Sequence, residues 1–206
     1  MFIAIYKSSI MKTTFKLFFA LTAFAALAVA YPAKANLITN GDFETGDFTA
    51  WTVTPRPSGG SNFGVDSNSH SGNYAAYFGA LWDGIGFDSI SQNLATIPGA
   101  AYNLSFWLQD GGGNPPKDFR VFFNGVEVAD VLDTTGFPYT LFTINGLLAT
   151  GSSTTLEFQG YNQAVFHLDD ISLTAAPDAG SSGLLFGVAF VVLIGFQHAF
   201  GFKRRV

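Results

Sequence analysis

Ala101-Tyr102-Asn103-Leu104-Ser105-Phe106-Trp107-Leu108-Gln109 is the stretch that decides the fold class. Tyr102, Leu104, Phe106 and Leu108 alternate with Asn103, Ser105, Trp107 and Gln109. A period of two marks a strand with one face in a core and the other toward water. The first set predicts core positions, and the second, Trp107 included, predicts an outward face. Turn signals surround the strand. Pro98-Gly99 precedes it, and Asn124-Gly125 lies between two apolar runs as the dipeptide of a two-residue hairpin. Working outward, further strands are predicted over 74–81, 90–94, 119–123, 126–132, 139–144, 154–159 and 165–173, each bounded by Gly, Pro, Asn or Asp. No segment between residues 36 and 174 carries a 3.6-residue apolar period with caps, so no helix is predicted there. Many short strands without helices predict an all-β chain folded as a two-sheet sandwich. Gly111 to Pro116, a run of three glycines, Asn and two prolines, predicts a flexible loop.

Composition narrows the chemistry. The 206 residues contain 23 Phe and 23 Gly and no Cys, so disulfides, thiolate metal sites and cysteine nucleophiles are excluded. The formal net charge of −5 is unevenly spread. All 15 acids lie between Asp42 and Asp178, where the bases are Arg56, Lys117 and Arg120. So acidic a surface repels a phosphate backbone, which argues against nucleic acid as a partner. Neutral sugars and cations remain compatible with it.

The two ends read as addresses. Lys12 and Lys16, the apolar run 17–30 and Ala33-Lys34-Ala35 form the three parts of a secretory signal, with cleavage predicted before Asn36. Cleavage before Tyr31 is the alternative, and Met11 is a better start than Met1. At the far end, residues 183–202 contain no Asp, Glu, Lys or Arg. As a helix with about 1.5 Å of rise per residue, this run spans roughly 30 Å, a bilayer's hydrocarbon thickness. Lys203, Arg204 and Arg205 follow it as a membrane stop, which places the body of the protein on the opposite, non-cytoplasmic side. The chain thus divides into a signal peptide (1–35), a β-sandwich domain (36–174), a linker (175–182), a transmembrane helix (183–202) and a basic cytoplasmic tail (203–206).

Three resemblances follow from particular residues. Ala176-Pro177-Asp178-Ala179-Gly180-Ser181-Ser182, ahead of the apolar run and basic end, resembles the VPDSG-type relative of the PEP-CTERM sorting signals on exported proteins of some Gram-negative bacteria. Pro177, Asp178 and Gly180 carry the match, whereas Ala176 and Ala179 depart from it. The resemblance implies processing by an exosortase-like transpeptidase after delivery by the Sec export machinery. The protein is then held in the membrane by its C-terminal helix until it is passed to the cell surface or extracellular matrix. Asn36-Leu37-Ile38-Thr39-Asn40-Gly41-Asp42-Phe43-Glu44, with Trp51 shortly after, resembles the start of jelly-roll carbohydrate-binding modules of the galactose-binding-like sort. His167-Leu168-Asp169-Asp170-Ile171-Ser172-Leu173 resembles their final strand. The implied fold is a jelly-roll sandwich, and the implied activity is non-catalytic binding of polysaccharide.

Three kinds of site are open to these residues. Ca²⁺ takes six to eight oxygens, and Asn40, Asp42 and Glu44 offer a cluster within one turn. The module resemblance implies a structural Ca²⁺ between that turn and the last strand, on Glu44 and one of Asp169 and Asp170, with Asp170 preferred. The alternative is that Asp42 and Glu44 accept from turn amides and that the Asp pair is solvated. A sugar platform needs exposed aromatics beside amides and carboxylates. Trp82, Trp107 with Gln109, and Tyr161 with Asn162 are the candidates, against the alternative that each aromatic is simply core. Catalysis has little to stand on. His70 and His167 lack a G-x-S-x-G elbow, and Asp169 and Asp170, as strand neighbours, should point to opposite faces. The sequence therefore reads as an exported, non-catalytic polysaccharide-binding module. A purely structural matrix or adhesin component and a small glycan-active hydrolase are the alternatives.

Overall fold

The computed structural model describes residues 35–80 and 85–177. The chain divides into two compact units, Met1–Ala35 and Asn36–Val206, and the account below concerns the second. The signal sequence, Trp82, Asp178 and Gly180 of the sorting motif, the apolar run and Lys203, Arg204 and Arg205 lie outside the described residues. Among the described residues, no helix is long and apolar enough to cross a membrane.

Among the described residues, ten strands make two five-stranded antiparallel sheets: β1 (Thr52–Thr54), β2 (Phe63–Asp66), β3 (Ala75–Phe78), β4 (Asp88–Ala95), β5 (Ala101–Asp110), β6 (Asp118–Phe123), β7 (Val126–Leu132), β8 (Phe137–Leu148), β9 (Ser153–Tyr161) and β10 (Phe166–Ala175). One sheet has the order β1-β4-β9-β6-β7 and the other β2-β3-β10-β5-β8. The alternation read from 101–109 holds along all of β5, with every second residue buried. Asn124-Gly125 closes the β6–β7 hairpin with φ of 54° and 76°, the double left-handed geometry that an Asn-Gly turn accepts.

The core is where the inner faces meet. Phe106 of β5 packs edge-on against Phe158 of β9 at 5.4 Å between ring centroids, and Phe119 of β6 lies 5.7 Å from Phe78 of β3. Each pair joins one sheet to the other. Leu104, Leu108, Leu156, Leu168 and Ile90 fill the space between them without exposure. Trp51 anchors the opening segment to this core. It stacks on the buried Phe43 at 5.8 Å, and its indole N–H donates to the Asn40 carbonyl at 2.9 Å.

The structure departs from the sequence reading in three places. The opening run 36–39, whose apolar Leu37-Ile38 predicts a short strand leading into the Asn-Gly-Asp turn, is not a strand and is tied to the sheet by a backbone bond from Leu37 N–H to the Leu173 carbonyl. β1 and β2 were not predicted, because both are short and their residues are only partly buried or exposed, which leaves no apolar alternation to read. The 111–116 segment is not free: Gly111 N–H donates to Val165 O, and Gly112 O accepts from Lys117 Nζ.

Candidate functional site

Three groups of polar residues stand out, on the outer face of each sheet and at one end of the sandwich. On the β1-β4-β9-β6-β7 sheet, register places Arg120 of β6 opposite Gln159 of β9, and Gln159 opposite Ser89 of β4. Asp118 is opposite Tyr161 in the same way, and directly paired residues share a face. Phe87, just ahead of β4, completes the group. Its ring lies 5.2 Å from that of Tyr161, and the Arg120 guanidinium sits over it at 4.8 Å. Arg120 also binds Asp118 through Nη2 at 2.6 Å and Nε at 2.8 Å, and approaches Glu127 at 3.9 Å. The opposite oxygen of Asp118 is buried and has no partner among the described residues. Burial pushes the Asp118 carboxyl up to about 6; the Arg120 bond opposes this, and the neighbouring Asp130 carboxylate adds to it. Arg120 is in turn held above its ordinary range, chiefly by its bond to Asp118.

The outer face of the other sheet carries Trp107 and Gln109, as predicted from alternation, but a loop lies over them. His70 stacks on Trp107 with ring centroids 3.7 Å apart and planes 14° apart, and Tyr139 meets His70 edge-on at 5.5 Å. Gln109 accepts from Asn68 Nδ2 at 3.0 Å, and the Tyr139 hydroxyl donates to Asn68 O at 2.7 Å. The loop is tied down by both carboxylates of the final strand. His70 N–H and Ser71 N–H donate to Asp169 Oδ2 at 2.8 and 3.1 Å, and Ser71 Oγ donates to Asp170 Oδ1 at 2.8 Å. His70 Nδ1 meets Asp170 Oδ2 at 2.7 Å. Asp169 and Asp170 therefore do not point to opposite faces as simple alternation requires. The β10–β5 register shifts between Asp169 and Ser172, Asp170 has φ 49°, and the bulge turns both side chains to one loop. Burial raises the Asp169 carboxyl to about 6 against three backbone N–H donors that favour its ionised form.

The four predicted calcium ligands are spread over separate hydrogen-bond networks. Asn40 donates to Asp47 O and Thr49 O and accepts from Thr45 N–H. Asp42 accepts from Glu44 N–H at 3.4 Å. Both oxygens of Glu44 are taken by Asn73 and by Tyr74 N–H, and these bonds hold its carboxyl below the ordinary range. Asp170 faces His70 and Ser71. The opening turn does reach the final strand, where a Cβ at Gly41 would run into the Ile171 carbonyl. The carboxylates at that junction are nonetheless met by N–H and O–H donors of the 68–74 loop, where a cation would need lone pairs. Among the described residues, no three His, Asp or Glu side chains form a metal-holding group. The donors present do not fit a calcium cage.

The third group is buried. Asn162, predicted on the surface, is fully enclosed, and its Nδ2 donates to Asp110 Oδ1 at 2.9 Å. Lys117 is also fully enclosed, and its Nζ meets Asp110 Oδ2 and Gly112 O, both at 2.8 Å. Thr134 Oγ1 donates to the same Asp110 oxygen, and Gly112 N–H donates to Oδ1. Burial works to raise the Asp110 carboxyl, but Lys117, Thr134, Gly112 and Asn162 together outweigh it and hold the group below its usual range.

The predicted ligand residues are thus divided among three places. Tyr161 is on one sheet face but only 5% exposed, Trp107 and Gln109 are on the other, and Asn162 is inside. Sequence reading missed Phe87, Asp118 and Arg120. The available signal was Arg120 itself, one of three bases in an acidic domain, alternating with the inward Phe119 and Val121.

No protein-family model matches the chain, and no curated protein matches it by sequence. Solved structures do resemble its fold. The structure of TmCBM61 in complex with β-1,4-galactotriose superposes with a TM-score of 0.50 at 24% identity, over 69% of this chain and 99% of that one. The xylan-binding domain CBM22-1 of Xyn10C from Paenibacillus barcinonensis gives 0.50 at 16% identity, over 73% of this chain and all of that one, 100%. The enzymatically active domain of tailspike protein 4 from bacteriophage CBA120 gives 0.54 at 12% identity, over 68% of this chain but only 21% of that one. The chain is accordingly an all-β, two-sheet antiparallel sandwich like those of carbohydrate-binding modules.

Proposed function

We propose that this protein is a non-catalytic polysaccharide-binding module and that its sugar-contacting surface is the outer face of the β1-β4-β9-β6-β7 sheet. The observation that carries the reading is the Phe87, Tyr161 and Arg120 group with Asp118 beside it. Aromatic rings offer apolar faces to the C–H side of a pyranose, and Arg120, Gln159 and the two aspartates offer donors and acceptors to its hydroxyls. Trp82, placed by sequence in the β3–β4 connection that also carries Phe87, belongs to the proposal on the sequence argument alone.

The face suits binding better than hydrolysis. A glycosidase holds its two carboxyls about 5 to 9.5 Å apart around the scissile bond, whereas Asp118 is buried with one oxygen committed to Arg120, and the nearby Asp130 raises its carboxyl further. Affinity electrophoresis and pull-downs on soluble and insoluble β-linked polysaccharides test the proposal. Tyr161→Ala is expected to weaken retention at least tenfold while Trp107→Ala leaves it unchanged. No retention of the wild-type protein by any polysaccharide overturns it and favours the structural matrix reading. Delivery follows from the sequence: Sec export, temporary anchoring by residues 183–202 and processing at Pro177, Asp178 and Gly180. Intact mass and cell fractionation test that route, since a product retaining residues 183–202 excludes processing.

A further inference from the structure

We propose that Lys117 and Asn162 join in an intramolecular isopeptide bond, formed by the protein itself with Asp110 as the proton-transfer group. The geometry is that of two buried side chains clamped on one buried carboxylate. Lys117 Nζ, the nucleophile, is 2.8 Å from Asp110 Oδ2, and Asn162 Nδ2, the leaving nitrogen, is 2.9 Å from Asp110 Oδ1. The amide oxygen of Asn162 is held from its other side by Ala164 N–H at 2.9 Å. Lys117 and Asn162 are fully enclosed and Asp110 is almost so. Gly113 packs against Asn162 closely enough that a Cβ there would lie 3.3 Å from Oδ1. The site is dry, which favours aminolysis over hydrolysis and weakens the solvation that keeps a lysine ammonium unreactive.

The chemistry balances with these groups alone. The Asp110 carboxylate takes a proton from the Lys117 ammonium at 2.8 Å, an uphill transfer because its partners favour the ionised carboxylate, and the freed amine pair attacks Asn162 Cγ. The carbonyl electrons move onto Oδ1, where Ala164 N–H stabilises the negative charge as an oxyanion-hole donor does. When the carbonyl re-forms, the Cγ–Nδ2 bond breaks. Asp110 relays to Nδ2 the two protons that Lys117 gives up, so nitrogen leaves as ammonium and Asp110 ends ionised, as it began. The product is a secondary amide between the start of β6 and the loop joining β9 to β10.

The sequence supplies an unusually clear test. Between Lys34 and Lys203 the basic residues are Arg56, Lys117 and Arg120, and Arg56 is followed by Pro57, a bond that trypsin does not cut. Denatured full-length protein without the bond is cut after Lys117 and Arg120, giving one fragment ending at Lys117 and another beginning at Val121. With the bond, Lys117 resists trypsin, and the fragment ending at Arg120 remains joined to the one beginning at Val121, with a mass lower than the sum of those two by one ammonia, about 17 Da. A joined product with that mass deficit is the expected result. Separate fragments of unmodified mass overturn the proposal, whether or not any variant folds. Asp110→Asn, checked for a retained β-sheet circular dichroism spectrum, is expected to give separate fragments. A joined product from that variant overturns the role given to Asp110.

Discussion

Lowering the pH from about 7.5 to about 5.5 should make the sandwich more stable, against the habit of acidic proteins held by ionised carboxylates. Asp118 and Asp169 are both buried, and each has its carboxyl raised from 3.8 to about 6, by burial first. The folded state therefore binds protons more tightly than the unfolded chain between about pH 4 and pH 6. Wherever the folded state binds more protons, stability falls as pH rises, so both groups cost stability above about pH 6 and release that cost on acidification. One pKa unit corresponds to about 1.4 kcal/mol, so two units set a ceiling near 3 kcal/mol per group. Acidification to about pH 5.5 stops half a unit below the raised values and so releases only part of that ceiling, about 0.8 kcal/mol per group. For a domain of this size each kcal/mol moves Tm by roughly 2–4 °C, so the two groups together should raise it by about 3–6 °C. Below about pH 4 the trend reverses, because Glu44, Asp47 and Asp110 have lowered pKa values and lose their hydrogen-bonded ionised forms. Thermal melts at constant ionic strength across this range provide the assay, with Asp118→Asn expected to remove about half of the slope. A Tm that stays level or falls between pH 7.5 and pH 5.5 refutes the reasoning.

Three further outcomes follow from single contacts. His70→Ala removes the ring stacked on Trp107 and should shift the tryptophan emission to longer wavelength, with a stability loss of roughly 0.5–1.5 kcal/mol by urea titration. An unshifted spectrum would mean that the indole is already wet. Phe106→Ala deletes the ring that joins β5 to Phe158 and Phe119 across the core and should cost about 3–5 kcal/mol, read from the shift of the urea midpoint. Millimolar Ca²⁺ should leave Tm unchanged to within about a degree, because Glu44 and Asp170 are met by donors of the 68–74 loop; a clear rise on adding Ca²⁺, reversed by chelator, contradicts that assignment.

The sandwich was legible in the sequence because β5, β6, β7 and β9 each run long enough for alternation to show, and because Asn124-Gly125 fixes a hairpin by its own conformational preference. What escaped were β1 and β2, whose three and four residues give a period of two no room to declare itself. The same limit explains the division of the site residues. Alternation placed Trp107 on an outer face correctly, but nothing local to β5 indicates that His70, far back in the chain, lies across it. Asn162 looked like a surface amide beside an aromatic, and only the tertiary arrangement that sets Asp110 and Lys117 against it makes it an interior group.

The Asp169-Asp170 pair carries the physical lesson furthest. A regular strand would send one carboxylate inward and the other outward, leaving the 68–74 loop with few acceptors for its N–H groups. The bulge at Asp170 breaks the period and gives both carboxylates to that loop, while Glu44 reaches it from the opening turn. Three anions from two distant segments are thereby neutralised by peptide dipoles and hydroxyls in the place where calcium was expected. Loop, turn and last strand thus depend on one another for their charges. Removing one carboxylate should loosen the loop without unfolding the sandwich, whose core lies on the other side of β10. Phe87, Tyr161 and Arg120, on the opposite sheet, take no part in that network, so the ligand face proposed there should be unaffected by its loss.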